Sequence, residues 1–397
     1  MQTDPRITIL LTLKGRHAYT YRWLSHADRT RLPFRVLIAD GEPDSPVGAW
    51  LGTRTVFPNL QLEYRQYNDR TYQDFYQKLL DAALRIQTPY VMLVDNDDFL
   101  FPSGITPCID FLDSMPDYVS AGGGIAQFEL SSNGAAPPIL GGKIARFWYQ
   151  QSRAYRACDV NGSSAESRVL TTYKDHLTVY YNVCRVPALR CILGEVLQAQ
   201  FRQLESAELF WKLRLATLGK VRSDASRLFY LRQQGTSSNP LRGVDFVEIL
   251  GTQPHIAEIH KALDLIANVV ATADSVAAEP VVSQLRHIAV VHLRQQLTHV
   301  LGTGACARNW LKARMPARLI EGLRFAYERI GSGAATATGG RSITRQALFE
   351  RLGRSGALQT TLGQQARELA EIETTVMSGT FRGRAADLPR AILEGRG

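Results

Sequence analysis

Through the first 240 residues, apolar runs alternate with stretches of helical spacing. Residues 6–13, RITILLTL, are almost continuously apolar and include β-branched side chains, the pattern of a strand covered on both faces. GRHAYTYRWLSHAD follows, with Tyr19, Trp23 and Leu24 spaced for one side of a helix. FRVLIADG (34–41) predicts a second strand closing on Asp-Gly, and NLQLEYRQY a third. In residues 71–87, Phe75, Leu79, Leu80, Ala83 and Leu84 share a helical face; Thr88-Pro89 breaks it, and YVMLVDNDD starts a fourth strand at Tyr90. Strand, helix, strand, strand, helix, strand predicts an α/β fold: a mostly parallel, Rossmann-like sheet flanked by helices.

The pattern then loosens. Gly122 to Gly124 and the segment LSSNGAAPPILGGK read as an irregular excursion, and LTVYYNVCRV (177–186) reads as another strand. QFRQLESAELFWKLRLATLGKVRSD predicts an amphipathic helix, with Leu204, Phe210, Leu213 and Leu215 apolar and Gly219 as its stop. SRLFYLRQQGTSS reads as a last short strand and turn. Beyond Pro240 long helical patterns take over, interrupted by GSGAATATGG at 331–340, a flexible linker. The expected division is an α/β body over 1–240, a helical appendage over 241–330, and a linker with a helical tail over 331–397. No internal repeat is visible.

Composition narrows the class. At 397 residues and 45% hydrophobic content the chain can bury a substantial core. No run approaches the roughly 20 apolar residues of a membrane span, and no basic-then-apolar leader opens the chain. Five cysteines without CxxC spacing argue against a disulfide framework or structural zinc and for a reducing, cytoplasmic setting. From residue 281 onward, 17 Arg and Lys face 8 Asp and Glu, which accounts for the whole net charge of +9. The body is balanced, so its totals argue against a nucleic-acid partner. His287, His292 and His299 have no metal-ligand spacing. Around Trp310, Leu311, Met315, Leu319 and Leu323, interleaved with Lys312, Arg314 and Arg318, the pattern is a basic amphipathic helix. Such a helix packs on the body or a partner subunit, or lies peripherally on an anionic inner-membrane surface.

The chemistry concentrates at YVMLVDNDDF, where a buried strand runs into Asp95, Asn96, Asp97 and Asp98. In open parallel sheets ligands bind beyond the carboxyl ends of the strands, and Asp40 ends a neighbouring strand there. Clustered carboxylates at such a place suit a hard divalent cation, Mn²⁺ or Mg²⁺, shared with substrate phosphates. Taken alone, the aspartates read equally as a solvated acidic turn, Asp40-Gly41 as a turn signal, and Asp69-Arg70 as local turn chemistry.

The ordered set TLKGRHAYTYRWL, PFRVLIADG and TPYVMLVDNDDFLFPSGI, followed about 110 residues downstream by an acid-bearing helix, resembles the family 2 type of GT-A glycosyltransferase. It is similar to a bacterial subgroup found in surface-polysaccharide loci, over residues 6–240. The resemblance implies a GT-A fold, a nucleotide-sugar donor and a glycan or lipid-linked acceptor. Asp40 would meet the base or ribose. Asp95 and Asp97 would be the DxD pair on ribose and metal, with Asp98 the alternative in register. Lys14, Arg16 and Arg232 would serve the diphosphate. Glu205 in preference to Glu208, standing where the family more usually has a Glu-Asp pair, would be the general base of an inverting reaction. As bland alternatives, the helix dipole favours acids in a first turn anyway, and Arg232 reads as an ordinary surface arginine. Retention on the same fold and a non-catalytic glycan-binding module are the rival readings. A nucleotidyltransferase is disfavoured because LKGRH is too short and glycine-poor for its phosphate loop. Homo-oligomerisation is left open.

Overall fold

The computed structural model describes residues 3–52, 56–130, 141, 143–149, 159–175, 179–233, 253–302, 344–354 and 358–377. The N-terminal elements follow the apolar pattern: β1 (Asp4–Leu13), α1 (His17–Arg29), β2 (Phe34–Asp40), α2 (Val47–Gly52), β3 (Leu62–Gln66), α3 (Tyr72–Arg85) and β4 (Tyr90–Asp95). Ile7, Ile9, Leu10 and Leu11 of β1 are wholly buried, because helices cover both faces of the sheet. The start of α3 is fixed by a capping box: the Thr71 side chain accepts from the Asp74 N–H, and Asp74 reaches back to the Thr71 N–H.

After β4 come β5 (Phe99–Leu100), α4 (Pro102–Ser114), β6 (Tyr118–Leu130), β7 (Ile144–Tyr149), α5 (Ala165–Lys174), β8 (Val183–Arg185), α6 (Val186–Ala199), α7 (Leu204–Leu218) and β9 (Lys220–Gln233). One nine-stranded sheet runs β3-β2-β1-β4-β8-β6-β9-β5, with β7 paired to β6. The ladders β1–β2, β1–β4, β2–β3 and β6–β9 are parallel. The three-residue strand β8 joins the two halves by short antiparallel pairings. The fold is therefore the expected α/β class, a mostly parallel sheet between helical layers.

Three local expectations differ. Gly122 to Gly124, expected in an irregular excursion, lie inside the 13-residue strand β6. They are glycines because neighbours press on them: a Cβ at Gly122 would lie 2.2 Å from Asn182 Oδ1. Of the strand expected at 177–186, residues 177 and 178 lie outside the described ones, and among 179–186 only Val183–Arg185 form a strand, since Val186 and the proline after it begin α6. The last strand is long rather than short, 14 residues, because it pairs with β6 along most of its length. The expected stop at Gly219 is observed as the C-cap of α7.

Beyond the body, α8 (Gln253–Asp274) and α9 (Ala278–Gly302) pack on α5 and α7. Ala262, Leu263, Ile266 and Val270 join the same apolar cluster as α3, α6 and α7. α10 (Arg345–Arg354) and α11 (Gln359–Met377) close the opposite edge. Leu348, Leu352, Leu369, Ile372 and Val376 are buried there with Phe99, Phe101, Phe128 and Leu231. Gln365 donates to the Leu228 carbonyl (2.7 Å) and accepts its N–H (3.1 Å). Leu228 sits where the β6–β9 register jumps, so the glutamine supplies backbone partners that the ladder lacks. The linker at 331–340 and the basic helix around Trp310 lie outside the described residues.

Candidate active site

β1, β2 and β4 run parallel and end together, so their exit loops form one crevice. Asp40 ends β2 and is completely buried. Its Oδ1 accepts the Glu42 N–H (3.0 Å) and its Oδ2 the Tyr64 hydroxyl (3.2 Å), so it shapes the loop from within. Behind it, Asp69 is not local turn chemistry. Its Oδ2 is 2.5 Å from Lys78 Nζ, and both side chains are almost fully buried. Lys78 also donates to the Leu13 carbonyl (3.0 Å), and Lys14 Nζ donates to the Asp69 carbonyl. A Cβ at Gly41 would fall 2.1 Å from Asp69 Oδ2, so this packing demands glycine.

Asp95, Asp97 and Asp98 converge at the end of β4, each offering a carboxylate oxygen within 4.8 Å of the others. Asp95 is half-buried; its Oδ2 accepts the Tyr181 hydroxyl (2.9 Å), and its N–H donates to Tyr230 Oη (3.2 Å). Burial first, and then the charge of Asp97, raise its carboxyl above the usual range. Asp97 Oδ2 lies 2.6 Å from Arg16 Nη2, while the wholly buried Arg22 donates to the Asp97 carbonyl (2.9 Å). Asp98 is 1% exposed. It accepts the Gln233 N–H (2.9 Å) and stands 3.5 Å from Arg232 Nε, anchoring the end of β9. Burial and then Asp97 push its carboxyl well up.

This donor set fits a hard divalent cation. All three ligands are carboxylates, and Asp98 Oδ2 is buried without a hydrogen bond. The raised carboxyls of Asp95 and Asp98 follow first from burial and then from the neighbouring Asp97 charge, both of which a bound cation would relieve. Asp95 and Asp97 would hold the ion, since Asp98 is covered.

Glu205 and Glu208 project from the first turns of α7. Glu205 Oε2 is buried without a hydrogen-bond partner, whereas Glu208 is open to solvent. Crowding by the surrounding protein, then the charge of Glu205, then that of Asp95 push the Glu208 carboxyl up to about 7. Arg232 acts in the opposite sense on Glu208. One helical turn on, burial pushes the Lys212 ammonium down to about 8. Tyr180 links the two sides: burial and then the charges of Asp95 and Glu208 raise its phenol, and its ring lies 5.1 Å from Trp211.

The structure thus brings together Arg16, Asp95, Asp97, Asp98 and Arg232, and places Glu208 within electrostatic reach of Asp95 and Arg232. It sets Asp40 and Lys14 into supporting contacts and leaves Glu205 with a buried, unpartnered oxygen. Arg22, Tyr181, Tyr230 and the Lys78–Asp69 pair were not singled out from sequence. For Arg22 a signal existed: it falls three residues after Tyr19 on the apolar side of α1, where a charge needs a partner. Tyr181 and Tyr230 are ordinary strand residues by pattern and gave none.

No family model matches the sequence, and no curated protein matches it. Among solved structures, residues 1–349 of TarS from S. aureus in complex with UDP-GlcNAc align at TM-score 0.44 and 10% identity, covering 93% of this chain and 90% of that one. Another structure of the same TarS fragment gives 0.43 and 12%, with the same coverage. A mannosyltransferase from Pyrobaculum calidifontis, PcManGT, in complex with GDP-Man and Mn²⁺ gives 0.37 and 12%, covering 94% and 87%. Likeness at this level speaks to neither reaction nor ligand. No helix among the described residues is long and apolar enough to cross a membrane.

Proposed function

We propose that this chain is a metal-dependent glycosyltransferase that moves a sugar from a nucleoside-diphosphate donor to a hydroxyl of a glycan or lipid-linked acceptor, with inversion. One observation carries the reading. Glu208, solvent-accessible and pushed up to about 7, shares a crevice with the Asp95–Asp97 carboxylates and with Arg232. A carboxyl near neutral facing a cation site is the pairing that acid–base work beside a phosphate leaving group needs.

Glu208 removes the acceptor hydroxyl proton as that oxygen attacks the anomeric carbon. The bond from the anomeric carbon to the diphosphate oxygen breaks, and the nucleoside diphosphate leaves with the electron pair. Arg232, held over the Tyr181 ring at 5.0 Å, offers its guanidinium to the departing charge. A bound Mn²⁺ or Mg²⁺ supplies Lewis-acid stabilisation of the diphosphate. Glu208 is preferred to Glu205 as base because it presents its carboxylate to the crevice. Asp40 and Asp69, through Tyr64, Glu42 and Lys78, fix the loop beside which the nucleoside would lie. The cytoplasmic setting rests on the sparse cysteines without CxxC spacing, and the place in bacterial surface-polysaccharide assembly on the motif resemblance.

A thermal-shift screen of nucleotides and nucleotide sugars, with and without Mn²⁺ or Mg²⁺, tests the reading. A ligand that binds only the folded state raises Tm by mass action. The expected result is a metal-dependent rise for one nucleotide family, absent from an Asp95→Asn/Asp97→Asn variant. No rise with any nucleotide would turn the assignment to a non-catalytic glycan-binding module. Product anomeric configuration then separates inversion from retention.

A further inference from the structure

Arginines from two different strand exits stand on the acidic turn. Arg16, from the loop after β1, places Nη2 2.6 Å from Asp97 Oδ2; Arg232, at the end of β9, places Nε 3.5 Å from Asp98 Oδ2. Each guanidinium lies against a tyrosine, Arg16 at 4.7 Å from the Tyr19 ring and Arg232 at 5.0 Å from the Tyr181 ring. With Arg22 donating to the Asp97 backbone carbonyl, three guanidinium groups stand at a turn that carries three carboxylates. The turn is therefore close to charge-balanced before any cation arrives.

Arg16 differs from its two companions. Its backbone is left-handed, φ 57 and ψ 39, beside Gly15 at φ 64. A long L side chain rarely adopts that conformation, and where it does at a crevice, the strain marks a position held for its side chain. Its contact with Asp97 is also charge against charge, since Nη2 has no aligned hydrogen bond. It is a close but unlocked ion pair, on an oxygen that a divalent cation would need.

We propose that Arg16 is an exchangeable counter-ion, which occupies Asp97 in the donor-free protein and passes to the diphosphate when cation and nucleotide bind together. The inference rests on the nucleotide-sugar reading above. A dication and a guanidinium repel and cannot share Asp97 Oδ2 at contact distance. A dication alone would leave the balanced turn with two excess positive charges. The diphosphate of a nucleotide sugar brings two negative charges, so the pair restores the balance and gives the displaced guanidinium an acceptor. Cation and diphosphate then each raise the other's affinity by the same factor. The consequence is a cation site that stays weak until the donor comes.

Equilibrium dialysis of Mn²⁺, alone and with UDP or GDP, tests this on the full chain, with free metal–nucleotide complex counted separately. Wild type is expected to hold Mn²⁺ weakly alone and about tenfold or more tightly with the nucleotide it accepts. Arg16→Gln should bind Mn²⁺ alone about tenfold more tightly than wild type and lose most of the nucleotide-linked gain. Arg16→Lys should fall between. Arg16→Gly, which suits the left-handed backbone, repeats the comparison in a chain relieved of strain and should behave as Arg16→Gln. Equal affinity for Mn²⁺ alone in wild type, Arg16→Gln and Arg16→Gly overturns the exchange and leaves the transferase reading standing. Absence of Mn²⁺ binding in every variant, with either nucleotide, overturns both.

Discussion

Glu208 and Glu205 are one turn apart, yet their surroundings separate them. Glu205 has a buried, unpartnered oxygen, while Glu208 is open to the crevice with its carboxyl pushed up to about 7. A general base works deprotonated, so turnover should rise with pH through about 7 and level off above it. Glu208→Gln is expected to lower turnover by ~10²–10⁴-fold while donor binding persists, read by steady-state rates beside nucleotide titrations. The same shift has a consequence for stability. A carboxyl raised in the folded state binds its proton more tightly there than in the unfolded chain, so ionising it weakens the fold. Glu208→Gln should therefore raise Tm at pH 8 and leave it nearly unchanged at pH 4. A variant that loses turnover and loses Tm at pH 8 would sink this account of the residue.

At the scale of elements, the acidic turn is set by strand ends rather than by its own sequence. Tyr230 from β9 and Tyr181 from the segment before β8 hold Asp95, and the β9 terminus holds Asp98. This bears on the register of the run DNDD. Asp98, 1% exposed, anchors Gln233 and stands on Arg232, which favours Asp95 and Asp97 as the pair proposed to hold the cation. In the sequence the two registers look alike, since only burial by a strand more than 130 residues away distinguishes them. β9 depends in turn on α11. Gln365 is wholly buried and satisfies both backbone groups of Leu228. Removing it leaves a buried donor and acceptor unmet, at about 1–3 kcal/mol each. Gln365→Ala should thus lower unfolding stability by roughly 2 kcal/mol or more, measured by urea titration; a change under about 0.5 kcal/mol would show that water or β7 takes over the pairing.

On the scale of the whole molecule, apolar clusters among the described residues join helices beyond residue 240 to the body. α8 shares its core with α3, α6 and α7, and α10 and α11 share theirs with β5, β6 and β9. A chain ending at residue 340 would uncover Phe99, Phe101, Phe128 and Leu231 and lose five buried apolar side chains of α10 and α11. At about 1.5–3 kcal/mol for each, the expected outcome is a Tm at least 10 °C lower or an aggregating product, seen by calorimetry. An unchanged transition would show that the C-terminal helices merely rest on the body. The first four strands, α1, α3 and the crevice at the ends of β1, β2 and β4 were legible in sequence, because continuous apolar runs and 3.6-residue spacing act locally. So were the carboxylates themselves, which stand out against the buried strand they end. The tertiary structure alone decided the rest. It turned Gly122 to Gly124 into the middle of a strand, since glycine there answers Asn182 rather than a turn. It made Asp69 half of a buried ion pair with Lys78. It also set Arg16 and Arg232 on Asp97 and Asp98, and left Glu208 rather than Glu205 facing the crevice. Each of these depends on which distant groups share a low-dielectric space, and a linear pattern carries no record of that.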